Sequence, residues 1–129
     1  MSYKKLHHVG IIVEDLQSAI EKFEGFGLSC TEIRELKEAG VKIAFFPVGE
    51  SLVELLHFQP DRTQDASGAQ TNGINHIAFE VENLDASIAD FQRNGATLMD
   101  GFPRTIGQSR MAFFSPETTL NVLIEILEA

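Results

Sequence analysis

Apolar residues along this chain follow two different periods, and the pattern runs through the same cycle twice. Residues 7–13 and 75–81 are apolar, β-branched runs that read as strands, and each passes into a stretch with helical spacing. Leu16, Ile20 and Phe23 share one helical face in the first cycle, as do Leu84, Ile88 and Phe91 in the second. Each predicted helix runs out near a glycine, Gly27 or Gly95, suited to a left-handed cap. Three short apolar runs bounded by turn residues follow each helix: 29–35, 41–48 and 51–58, then 96–100, 109–115 and 120–127. The order predicts an α+β fold in which a βαβββ module is made twice, over about 5–58 and about 74–128.

Residue identities repeat along with the pattern. His8-Val9-Gly10-Ile11-Ile12-Val13-Glu14-Asp15-Leu16 matches His76-Ile77-Ala78-Phe79-Glu80-Val81-Glu82-Asn83-Leu84 at an offset of 68. The offset still holds where Ala44-Phe45-Phe46 lies against Ala112-Phe113-Phe114, and becomes 71 where Val53-Glu54-Leu55 lies against Ile124-Glu125-Ile126. Between the copies, residues 59–73 carry Pro60, Asp61, Asp65, Ser67, Gly68, Asn72 and Gly73 with little apolar, and read as a connecting loop. Two repeats are too few for a solenoid. They are expected to form one domain over 1–129, with open sheets about a pseudo-two-fold axis and a cleft between them.

Charge and composition narrow the functions. Nineteen acids against ten bases give a formal net charge of −9, which opposes the counterion release that drives nucleic-acid binding. A small anionic substrate remains compatible, because a bound cation or a few local arginines outweigh the global field. No apolar run approaches the roughly 20 residues that span a bilayer, so no membrane partner is expected and the cytoplasm is the expected compartment. A single cysteine, Cys30, offers neither an intrachain disulfide nor a thiolate cluster.

Four residues stand out against this background. Each repeat opens on a histidine, His8 or His76, and carries a glutamate, Glu54 or Glu125, inside its last apolar strand. An ionised carboxylate within Leu52-Val53-Glu54-Leu55-Leu56 or Ile124-Glu125-Ile126-Leu127 needs a cation or hydrogen-bond donors, because burying it alone costs several kcal/mol. Alternation puts Glu54 on the face of Leu52 and Leu56, and Glu125 on that of Leu123 and Leu127. His57, three residues past Glu54, points away from it. Under a pseudo-two-fold the two pairs converge, so His8, Glu54, His76 and Glu125 are the expected ligands of one divalent ion: Ni, Co, Zn, Mn or Mg. Such an ion is a Lewis acid suited to an enediolate or enolate transition state.

Over essentially its whole length the sequence resembles the vicinal oxygen chelate superfamily, which includes glyoxalases, bleomycin resistance proteins and dioxygenases. Within it the methylmalonyl-CoA epimerase family is nearest. The carrying segments are His7 to Leu16, Ala39-Gly40-Val41-Lys42-Ile43-Ala44-Phe45-Phe46-Pro47-Val48-Gly49, Val53-Glu54-Leu55-Leu56, Gly73 to Val81 and Val122-Leu123-Ile124-Glu125. The resemblance implies a homodimer and a metal-dependent isomerase that moves a proton alpha to a carbonyl. It also implies Glu125 as the catalytic base, with Glu54 on the opposite face. A glyoxalase I-like lactoylglutathione lyase would use the same four ligands, so the expected substrate is an acyl-CoA thioester or a glutathione hemithioacetal. A third reading is a non-catalytic, resistance-type binding protein; such proteins often lose metal ligands, and this chain keeps all four. The far end of the substrate falls to loops 59–73 and 101–110; Arg104 and Arg110 lie near the second of these, where they are placed to meet an anionic substrate but where a surface arginine needs no function.

Overall fold

The computed structural model describes residues 2–59 and 72–129. The chain forms two compact units that follow the repeats, one comprising His8–Asn75 and the other His76–Ala129 together with the N-terminal residues through His7. Both opening strands are therefore divided between units, and at equivalent places, immediately before His8 and immediately before His76.

The first repeat contains β1 (Tyr3–Ile12), α1 (Leu16–Gly25), β2 (Glu32–Leu36), β3 (Val41–Val48) and β4 (Ser51–Phe58), with strands in the order β2-β3-β4-β1. The β1/β4 pairing is parallel and the other two are antiparallel. Asp15 caps α1, its Oδ1 accepting from the Ser18 N–H at 3.0 Å, which satisfies a donor that the first helical turn leaves open. Past the helix, Gly27 takes φ +98°, a conformation that a side chain makes costly. Ile11, Val13, Val53 and Leu55 alternate onto the α1 side, where they pack with Ala44, Phe46, Ile20 and Phe23. The intervening residues Ile12, Ile43, Phe45 and Leu56 form a second cluster on the other face.

The second repeat contains β5 (Gly73–Val81), α2 (Leu84–Arg93), β6 (Arg104–Ile106), β7 (Ser109–Phe114) and β8 (Ile124–Glu128), in the order β5-β8-β7-β6. Again the first and last strands pair in parallel. Asn83, the counterpart of Asp15, caps α2 through the Ala86 N–H at 3.0 Å, and Gly95 takes φ +95°. Phe114 is fully buried and stacks on Phe91 with centroids 4.5 Å apart, as Phe46 packs on Phe23 at 5.9 Å in the first repeat. Each such ring contributes about 1.5–3 kcal/mol by leaving water.

The structure corrects two expected strands. Residues 96–100 form only one bridge, Leu98 to Phe114, and the edge is taken instead by β6 at 104–106. Gly101 at φ +86° and Pro103, which has no N–H to donate, turn the chain off the ladder before it can lengthen. The last strand was expected over 120–127 and starts at Ile124, because Leu120 and Asn121 both sit at φ +63°, outside extended backbone. The expected loop at 59–73 lies, from 60 to 71, outside the described residues. No helix among those described is long and apolar enough to cross a membrane.

Candidate metal centre

The site residues are placed by strand register. In the first repeat Gly10 lies opposite Glu54 across the parallel β1/β4 pair, and His8, two residues earlier, shares its face. Glycine adds no side chain of its own on that face. His8 Nδ1 is 3.3 Å from Glu54 Oε2, and both residues are 6% exposed. On its other side Glu54 faces Phe45 of β3.

The second repeat builds the same arrangement from its own residues. Ala78 lies opposite Glu125 across β5/β8, and Phe113 of β7 flanks that glutamate on the other side. His76 Nε2 is 3.1 Å from Glu125 Oε1, with exposures of 6% and 3%. The edge of Phe113 meets the His76 ring at 5.4 Å and 82°, which limits how the imidazole can turn. Leu123 and Leu127, on the Glu125 face, are buried, so this carboxylate has an apolar surround.

Each pair thus offers an imidazole nitrogen and a carboxylate oxygen from a buried position, donor types that suit a divalent ion. Donors about 2.1 Å from an ion and at right angles to each other lie about 3.0 Å apart. The 3.1 and 3.3 Å separations match that spacing. An imidazole–carboxylate hydrogen bond would have similar lengths; in both repeats the pair is flanked by a small residue and by a phenylalanine beside the glutamate.

Other sequence-level candidates fall elsewhere. His57 Nδ1 lies 3.3 Å from the Val13 carbonyl oxygen, turned from Glu54 as expected. Arg110 reaches Asp85 on α2 at 3.2 Å, on the helix side of its sheet, whereas Arg104 lies opposite Met111 and so shares the face of Phe113 and Glu125. A further buried acid, Glu80, is 9% exposed and lies within 3.7 and 4.0 Å of the Lys4 and Lys5 ammonium groups. Its counterpart in the first repeat is Ile12, so an acid at an apolar position of the repeat was the available signal.

Two βαβββ repeats, each with a histidine on its first strand and a glutamate on its last, define a glyoxalase-like fold. The chain belongs to the Glyoxalase/Bleomycin resistance protein/Dioxygenase superfamily, whose family model matches residues 7–114. It is similar to the mitochondrial methylmalonyl-CoA epimerase of Homo sapiens, with 28% identity over 97% of this chain and 74% of that protein. An uncharacterized protein of Bacillus subtilis is 30% identical over 96% of this chain and 91% of its own length. Among solved structures, a methylmalonyl-CoA epimerase in complex with methylmalonyl-CoA and NH4+ superposes with a TM-score of 0.84. The identity there is 28%, covering 99% of this chain and 96% of that one.

Proposed function

We propose that this protein is a metal-dependent isomerase that moves a proton on the carbon alpha to a carbonyl, with methylmalonyl-CoA as the expected substrate. The observation that carries the reading is the buried imidazole–carboxylate pair built at the same place in each repeat. In this proposal His8, Glu54, His76 and Glu125 together hold one divalent ion, and the protein works as a homodimer in the cytoplasm. The similarity to epimerases supports the choice of reaction.

An ion held by His8, Glu54, His76 and Glu125 would supply Lewis acidity that lowers the cost of negative charge developing on the substrate. Glu125 takes the proton from one face of the alpha carbon onto a carboxylate oxygen, and the C–H electron pair moves into the adjacent carbonyl. Glu54, which starts the turnover as the carboxylic acid, gives its proton to the opposite face as the enolate electron pair returns to the alpha carbon. The centre is inverted, Glu54 is left ionised and Glu125 protonated, and proton exchange with solvent resets the two acids. Phe113, Leu123 and Leu127 keep water away from the carboxylate that performs the first transfer.

The test pairs metal analysis of the purified protein and its Glu54→Ala, Glu125→Ala double variant with deuterium exchange at the alpha carbon of methylmalonyl-CoA. Stoichiometric metal that the variant lacks, with exchange in the wild type only, is the expected result. Metal without thioester exchange, but with turnover of a glutathione hemithioacetal, would replace the epimerase by a glyoxalase I-like lyase. Absence of metal from the wild type after reconstitution would overturn the enzyme reading and leave a small-molecule binding protein.

A further inference from the structure

Five arginines occur in the chain, and Arg62 lies outside the described residues. Arg34 pairs with Glu32, Arg93 with Asp90 and Arg110 with Asp85. Arg104 makes no ion pair among the described residues. Its guanidinium instead lies 5.6 Å from the centre of the Phe102 ring. A guanidinium over a ring face keeps its plane oriented while leaving its N–H donors available to a partner in the plane.

The position of this arginine ties it to the candidate centre. Arg104 is opposite Met111, Met111 is opposite Leu127, and Phe113 is opposite Glu125, so all five side chains share one face of the second repeat's sheet. The aromatic contacts run the same way: Phe102 meets Phe113 edge-on at 5.2 Å, and Phe113 meets His76 at 5.4 Å. Two strand spacings and two residues of rise place the Arg104 and Glu125 backbones about 12 Å apart. That is too far for Arg104 to act on the reacting carbon, and near enough to hold another part of the same molecule.

We propose that Arg104 is the anion-binding subsite of this centre, recognising a phosphate or carboxylate on the substrate's handle through charge-assisted, in-plane hydrogen bonds. The inference rests on the proposed function for the identity of the substrate and not for the binding itself. In a chain of net charge −9, an anionic handle needs such a local cation to dock on the sheet face of the buried Glu125.

The experiment measures calorimetric affinity for coenzyme A and for S-methylglutathione, neither of which reacts, in wild type, Arg104→Gln, Arg104→Lys and Arg110→Gln, with metal content determined on each. The expected result is a 10- to 100-fold weaker dissociation constant for one of the two ligands in Arg104→Gln. Partial recovery in Arg104→Lys, no change in Arg110→Gln and unchanged metal content complete the expectation. The ligand that loses affinity identifies the handle as phosphate-bearing or carboxylate-bearing. Equal affinity of wild type and Arg104→Gln for both ligands, or equal losses in Arg104→Gln and Arg110→Gln, would overturn the assignment. Loss of metal from the wild type would refute the metal reading alone, since the binding comparison needs no turnover.

Discussion

Replacing Glu125 by leucine separates a metal ligand from a structural acid. Glu125 is 3% exposed and shares its face with Leu123, Leu127, Ala78 and Phe113 as well as His76, so leucine, of similar volume, enters an environment in which four of these five neighbours are apolar. Burying that side chain contributes about 1.5–3 kcal/mol. The desolvation of a carboxylate is removed at the same time; replacing every member of a buried ionic group by packed apolar residues commonly stabilises by about 1–4 kcal/mol, which the companion double variant His76→Leu, Glu125→Leu reaches in full. In EDTA the variant should therefore melt higher than the wild type, by about 3–5 °C for each kcal/mol in a chain of this length. An ion at a hundred times its dissociation constant stabilises the wild type by about 2.7 kcal/mol and the variant far less, so the gap should close or reverse when metal is added. Calorimetric melts with EDTA and with nickel or zinc read both halves of the prediction. If Glu125→Leu instead melts lower in EDTA, by the roughly 3–5 kcal/mol of a broken buried pair, the carboxylate is holding the fold through His76 and the metal argument fails.

Two other outcomes test the register and the repeat. Ala78→Leu fills the space in which His76 and Glu125 meet, and should reduce metal affinity at least tenfold with an overpacking cost of about 1–3 kcal/mol, read by metal titration and by melting. Asp15→Ala and Asn83→Ala remove equivalent helix caps and should each cost about 1 kcal/mol by urea unfolding, with metal content unchanged.

Much of this was legible in the sequence because a repeat shows each element twice. Strands at 41–48 and 51–58 occur as expected, and so do the left-handed glycines at 27 and 95. The burial of Glu54 and Glu125 followed from apolar neighbours on both sides of each. Where expectation failed, the controlling interaction was not a matter of period. Ala96 to Met99 looks like a strand, and it does donate one ladder bond, from the Met99 N–H to the Phe113 carbonyl. Its departure from the sheet depends on backbone conformations at Gly101 and Pro103 that hydrophobic spacing does not encode. Leu120 and Asn121 are similar: a turn held by the Thr119 hydroxyl, 2.7 Å from the Val122 carbonyl oxygen, outweighs the β propensity of the residues after it. The face occupied by Arg104 became readable only through the pairing of β6 with β7, since no spacing in the sequence distinguishes it from Arg110.

The paired opening strands also give the molecule an internal replicate. The two copies have diverged enough that Ile12 in one is a lysine-paired Glu80 in the other, and Asp15 in one is Asn83 in the other. Through that drift each copy has kept a histidine, a one-carbon or absent side chain two residues on, a glutamate opposite it and a phenylalanine behind the glutamate. Divergence between the halves of a single polypeptide thus separates positions that differ from positions that match, and the residues around the two acids fall in the matching set together with the helix-side packing residues Ile20 and Ile88 and Phe46 and Phe114.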